Sequence, residues 1–373
     1  MLSFPLRTAS ELRPFVRTML IPRGIASRQP SNGTILRKCH PYVNLATIDA
    51  STPRVLKFEL PAGDDERFFQ VLIDAKHSAG AVLFGRVGLG NHGPAEIQIG
   101  NTKVFCGETA FVLRRLSFMY AMAPSDTDAH ICEVWDSILQ VDTPHGCQAA
   151  SRGLRSHLFK GAEWDADSKD QMFSMLLSKY ANDEAAYDHF KAISDILSSN
   201  HVANVCFVEV GKDKNWASGV SGDKTLEALL ALDEITPAAV AGVVSVLGGQ
   251  NKLGQAYDLL YDAFMASEGQ NFESFKQFVA EEMPPLFVNA IAAVTVEVTT
   301  EPAVVAVEVT TEPAVVVEEP AAVVAAAVAE AAVAEAAVAE AAVVEAAVVE
   351  AAVVEEPAAV VEPLAKRSRS EAF

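Results

Sequence analysis

Four constellations in this chain hold residue types able to do chemistry. Gly88-Leu-Gly-Asn-His-Gly93 is a literal G-x-G-x-x-G behind a β-rich run. That pattern wraps backbone around a dinucleotide pyrophosphate when a helix opens directly after it. Here Pro94 and a hairpin pattern follow, so the glycines read as turn residues. His130-Ile-Cys132 and His145-Gly-Cys147, with Asp126 and Asp128 nearby, offer metal-ligand types without a zinc spacing. Neither a metal nor a cofactor is expected. The third set is a pair of carboxylates: Glu108 behind Gly107 at a helix start, and Asp213 three residues before Trp216. The fourth is Asn91 and Asn251, next to glycine or one residue from it, where backbone approaches closely. Each has a plain reading beside the chemical one. Glu108 and Asp213 suit helix caps or a surface pair, and Trp164 and Trp216 suit core packing.

The elements that must position these residues are visible as changes of period. VLKFEL, FFQVLID and GAVLF, within Arg54–Leu60, Phe68–Asp74 and Gly80–Phe84, are β-branched and aromatic, as strands are. Glu96–Phe105 reads as a hairpin turning at Gly100-Asn101. After Gly107 the apolar spacing becomes three and four, predicting helices over 107–122, 167–181, 183–198, 225–232, 237–247 and 253–266. Ser168 and Asn182 sit where helix caps are expected. VANVCFVEV, 202–210, interrupts the helices as a buried strand. The expected fold class is α+β: a mainly helical single domain with a small β-element.

Composition places that domain at about residues 46–290, between two segments outside its core. The formal net charge of −20 divides unevenly. Residues 291–365 carry 14 Glu and no Lys or Arg, the first 45 carry +6, and the central block is left at −14. An acidic domain is a poor non-specific binder of nucleic acid, because that binding is driven by phosphate neutralisation. The first 30 residues space Arg7, Arg13, Arg17, Arg23 and Arg28 between apolar residues. That is the composition of an organellar presequence, with Leu12, Phe15, Val16, Met19 and Leu20 able to share one helix face. An intracellular location follows: mitochondrion or plastid if the segment is a presequence, cytoplasm otherwise. Outside the Ala/Val tail no run of 18 apolar residues occurs, so no membrane partner is expected. Five cysteines, odd in number and without a C-x-x-C pair, signal neither a disulfide framework nor a zinc knuckle. The tail, 291–373, repeats VEVTTEPAVV at Val296 and Val307, then places Glu every five residues from Glu330 to Glu355. A five-residue step winds glutamates around a helix, so the tail reads as a solvated spacer and not as a coiled-coil seam.

Taken in order, Asn91, Glu108, Gly153, Trp164, Met172, Lys179, FVEVGKDKNWASGV (207–220) and GGQNKLG (248–254) resemble the NADAR family over residues 84–265. This is the YbiA-like family that includes riboflavin-intermediate N-glycosidases and ADP-ribosyl-guanine hydrolases. The family's interval from the Asn of its SNF turn to the Glu opening a helix is matched by Asn91 and Glu108. Its Gly and Trp eleven apart are Gly153 and Trp164. Its W-x7-M-x6-K followed by Phe or Tyr is Trp164, Met172, Lys179 and Tyr180. D-x-x-W-x-x-G is Asp213, Trp216 and Gly219, and G-x-N-x-L-G is Gly249, Asn251, Leu253 and Gly254.

The resemblance implies a mechanism. Breaking an N-glycosidic bond builds positive charge on C1′ and negative charge on the departing base, which calls for a carboxylate near one and an acid or donor near the other. Glu108 suits the first role and Asp213 the second, with Trp216 a stacking wall for the base. Asn91 and Asn251 suit ribose or phosphate, with Gly219 and Gly254 completing the binding set. The chain departs from the family at several places. SEH is Gly107-Glu108-Thr109, WG is Trp216-Ala217, the late arginine is Tyr261, and Leu116–Gln148 is about fifteen residues longer. Above all, the lysine seven residues past the glutamate, the family's sugar-attacking group, is Arg115. A guanidinium stays protonated and forms no Schiff base, so Arg115 is expected to face the same cleft and clamp an oxygen. The expected activity is hydrolysis of a ribosylated or ADP-ribosylated base. The alternative is an inactive NADAR-like domain that binds a nucleotide or ADP-ribose or serves assembly. The oligomeric state is left open.

Overall fold

A computed structural model describes residues 6–22, 25, 42–45, 48–52, 54–58, 68–86, 89–100, 102–122, 128–141, 143–151, 161–268 and 271–289. The described chain is mixed α+β and mostly helical, as the periods predict. The expectations for Gly153 and for the tail beyond residue 290 lie outside the described residues.

Its sheet holds five strands: β2 (Ile48–Thr52), β3 (Val55–Phe58), β4 (Phe69–Asp74), β5 (Ala79–Phe84) and, far later in the chain, β8 (Asn204–Glu209). The order is β2-β3-β4-β5-β8. Neighbours are antiparallel except β5 and β8, which run parallel with Phe84 opposite Glu209. Both faces are covered, which is why β5 reads as an unbroken buried run. Phe69, Val71, Val82, Phe84 and Phe207 enter the larger core, while Phe68, Leu72, Leu83, Cys206 and Val208 enter the smaller.

The crossover from β5 to β8 carries a hairpin and five helices. It begins with the hairpin β6 (Pro94–Ile99) and β7 (Thr102–Cys106), turned by Gly100 at φ 55°. Helices α2 (Gly107–Met122), α3 (Asp128–Gln140), α4 (Pro144–Ser151), α5 (Gly161–Asn182) and α6 (Glu184–Ser199) follow. Beyond β8 come α7 (Gly222–Leu230), α8 (Pro237–Val246), α9 (Lys252–Ala266) and α10 (Phe272–Glu282). Helices α7 and α8 cover the smaller core, whereas α9 packs on α5 and β8. Ser168 is buried inside α5 and caps nothing. Asp183 is the cap of α6, accepting from the Ala186 N–H at 2.9 Å.

The N-terminal segment corrects the expectation that it lies outside the core. Its helical part, α1 (Ala9–Leu12), yields to a single 3-10 turn at Arg13–Phe15 and then to strand β1 (Met19–Ile21). Pro14 removes a backbone donor, so the one-face helix drawn through Leu20 does not form. Instead β1 pairs in parallel with β9 (Phe287–Asn289), and Leu12, Val16, Met19 and Ile21 are buried in the larger core. Its described arginines are spent on the domain: Arg7 on Asp262, Arg13 on Glu282, Arg17 on Asp167 and Asp170. Arg114, buried in α2, donates to the Arg17 carbonyl at 2.9 Å and to Gln171 Oε1 at 3.1 Å, clamping the arm from below.

The free edge of β8 is closed by side chains instead of another strand. Asp258 Oδ1 accepts from the Phe207 N–H at 2.8 Å, and Asn251 Oδ1 accepts from the Glu209 N–H at 3.0 Å. Asn251 Nδ2 donates to the Phe207 carbonyl at 2.9 Å. With its outward groups satisfied in this way, the edge is no template for pairing. Among the described residues no helix is long and apolar enough to cross a membrane.

Candidate functional site

The parallel strands β5 and β8 end side by side, and the chain continues from both ends into one cleft. Arg86 follows β5, Glu209 closes β8, and Asp213 and Trp216 lie on the loop after it. Crevices at the carboxyl ends of parallel strands are where α/β-type sheets receive ligands. About 430 Å³ of empty space, its open mouth included, separates these groups from Asn91, Glu108 and Gln148 on the opposite wall.

Glu108 sits in the first turn of α2, and its N–H donates to the Asn91 carbonyl at 2.8 Å. That bond ties the glycine-rich turn to the helix start. Tyr257 of α9 holds the same turn by donating to the Leu89 carbonyl, and its hydroxyl meets that of Tyr180 at 2.9 Å. Burial raises the Glu108 pKa, with Asp213 adding to the rise; hydrogen bonds from Gln148 and Asn91 and the charge of Arg86 oppose it. Asn91 Nδ2 points to the Met172 sulfur at 3.5 Å, while its Oδ1 is buried with no hydrogen-bond partner.

On the facing wall Asp213 Oδ1 accepts from the N–H groups of Asn215 at 2.8 Å and Trp216 at 3.0 Å. The capping role is therefore met, and Asp213 lines the cleft as well. Trp216 is half-buried, its ring edge-on to Phe111 at 5.1 Å, so the two form one aromatic wall. Trp164 is core, packed between Phe111 and Phe118.

Four of the residues given a chemical role by sequence are thus brought together, Asn91, Glu108, Asp213 and Trp216, with Met172 and Leu253 of the same motifs beside them. Asn251, Gly254, Gly219 and Arg115 are not on this lining. Asn251 spends both ends of its amide on the β8 backbone, from a left-handed position at φ 51°. Gly254 lets α9 touch that strand, since a Cβ there would lie 2.1 Å from the Phe207 carbonyl oxygen. Gly219, at φ 83°, turns the chain against Gly248 and Gly249. These three hold β8 and its loop in place. Arg115 does not line the cleft either. It lies two turns along α2 from Glu108, with Phe111 between them as the last lining residue on that helix.

Sequence reasoning missed Arg86, His92, Gln148 and Glu209. His92 is buried with its ring edge-on to His145 at 4.7 Å, and Gln148 comes from α4. Glu209 had a signal: an acid closing an otherwise apolar strand. Burial and the nearby Asp213 and Glu108 push its pKa up to about 8, against the pull of Arg86. Among the described residues no three His, Cys, Asp or Glu side chains group as metal ligands, and Cys106, Cys132, Cys147 and Cys206 are buried.

Fold and cleft together define a mixed α+β domain with an acid-rich, aromatic-walled cleft. No known protein family matches the chain, and no curated protein matches it either.

Proposed function

We propose that this cleft binds a ribosylated or ADP-ribosylated base and hydrolyses its N-glycosidic bond, as the likeness to the NADAR family suggests. One observation carries the reading. Asn91, Glu108, Asp213 and Trp216, spread over 126 positions of sequence, line a single cleft. The base stacks on Trp216 and Phe111. Glu108 faces C1′ and the attacking water, and Asn91 and Arg86 hold ribose or phosphate oxygens. Among the described residues the cleft is lined by no lysine, so the reaction runs through water and not through a sugar–protein adduct.

The test is to incubate the protein with ribosylaminopyrimidine phosphates and with ADP-ribosylated guanine, following free base by chromatography. Release that is lost in Glu108→Gln, with no sugar trapped on the protein by borohydride, is the expected result. A borohydride adduct would refute the water route. The departure at Arg115 supports a second reading, a binding domain without turnover. Saturable ADP-ribose binding without base release from either substrate is its signature.

A further inference from the structure

Glu209 is the one cleft carboxyl whose surroundings oppose ionisation on nearly every side. It is 5% exposed, and its Oε2 is buried with no hydrogen-bond partner. Its own N–H is fixed by Asn251 and its strand by Phe84 opposite, so the side chain projects from a rigid strand end. An ionised carboxylate left unpaired in such a place is costly and takes up a proton instead. The charged and titratable groups around it are Glu108 from α2, Asp213 and Lys212 from the following loop, Arg86 and His92 from the glycine-rich turn, and Tyr257 from α9. Replacing the acid with an apolar residue would remove these costs. Acids perturbed by burial inside a cleft cluster at sites of proton transfer.

Asn91 Oδ1 is the second unpartnered polar atom on the cleft. An amide oxygen only accepts, and a protonated carboxyl donates. A ligand that met both groups would offer a donor, such as a ribose hydroxyl, to one and an acceptor to the other.

We infer that Glu209 is the acid that protonates the departing base, and that the cleft accordingly takes N-ribosides whose nitrogen leaves only as it gains a proton, not pyridinium ribosides. This rests on the glycosidase reading. As the C1′–N bond breaks, its electron pair stays on nitrogen, which takes the proton from Glu209. Water oxygen bonds to C1′ and gives its proton to Glu108. That proton returns to Glu209 through solvent, so one riboside and one water become free ribose and free base. A pyridinium base leaves as a neutral molecule and needs no such donor, and ionised carboxylates would suit its cation better. Glu209 holds its proton up to about pH 8, so the donor is loaded at neutral pH.

Wild type and Glu209→Gln are compared on a ribosylaminopyrimidine phosphate across the pH range, with infrared difference spectra of the carboxyl band recorded on both. The expected wild-type kcat/KM falls tenfold per pH unit above about 8. Glu209→Gln is expected to lose about 10²- to 10⁴-fold in rate together with that alkaline limb. A protonated-carboxyl band present at pH 7 in wild type and missing in the variant completes the pattern. Glu209→Asp, if the glutamine variant fails to fold, should retain a displaced limb. An active wild type whose variant keeps both rate and limb overturns the assignment alone, as does a Glu209 band already lost at pH 6. A wild type that releases no base overturns the glycosidase reading and this role with it.

Discussion

Truncating Leu12 to alanine tests whether the N-terminal arm belongs to the folded unit. Leu12 ends α1 with 0% exposure and packs in one core with Val16, Met19 and Ile21. Leu-to-Ala changes at sites that cannot collapse cost about 2–5 kcal/mol. About 3 kcal/mol is the fair figure here, because the arm crosses α5 and α9 and is held at both ends by ion pairs. For a domain of this size each kcal/mol moves the melting temperature by roughly 2–4 °C, so Tm should fall by about 6–12 °C. Arg17→Ala is the control. Its guanidinium is 36% exposed and pairs with Asp167 at 2.6 Å and Asp170 at 2.7 Å. Pairs that open to water contribute about 0–1 kcal/mol each and fade with salt. Thermal unfolding followed by far-ultraviolet circular dichroism at low and high salt separates the two effects. The Leu12 shift should be large and insensitive to salt, the Arg17 shift small and sensitive. A Leu12→Ala shift below about 2 °C would show that the arm does not share the core.

Asn251→Ala strands the Glu209 N–H and the Phe207 carbonyl, each at about 1–3 kcal/mol, and should lower the urea midpoint sharply; an unchanged midpoint would return Asn251 to the ligand-binding set. Gly254→Ala places a methyl 2.1 Å from the Phe207 oxygen, so it should yield little folded protein, read by expression and gel filtration. Glu209 has a raised pKa in the fold, about 8 against an ordinary 4.5. Its contribution is therefore complete below about 4.5 and is lost as pH climbs to about 8. Glu209→Gln should gain on wild type between pH 5 and pH 8.5 in urea unfolding, and equal pH slopes in the two proteins would refute the burial argument.

How much of this could be read from the chain depends on the range of the forces involved. GAVLF and FFQVLID announce strands because a two-residue period and β-branched residues act locally, and α2 announces itself by the change of spacing at Gly107. Helix α3 carried its own signal in Ile131, Trp135 and Ile138, at spacings of four and three, and all three are buried. The arm's place in the core is not legible because its partners are remote. Nothing near Met19 in sequence indicates that Phe287 will lie beside it. Arginine between apolar residues gives no hint of its ion-pair partners: Asp167, Asp170, Asp262 and Glu282 all lie more than 140 positions away.

The site shows a similar division between direction and depth. Seven residues along a helix return to the same face, which made Glu108 and Arg115 look like co-tenants of one cleft. The same step advances about 10 Å along the axis. The cleft takes only the first turn and a half of α2, because Phe111 ends it, with the rings of Trp216 and Trp164 packed on either side. Phe118 continues that aromatic layer against Trp164, on the side toward which the helix runs. Position 115 lies beyond the last lining residue of that helix, and burial lowers the Arg115 pKa without lodging it in the cleft. The guanidinium that does reach the carboxylates is Arg86, delivered by the end of β5 next to the end of β8. The parallel pairing of two strands some 120 residues apart thus sets the charge of the cleft, and helical spacing on α2 does not.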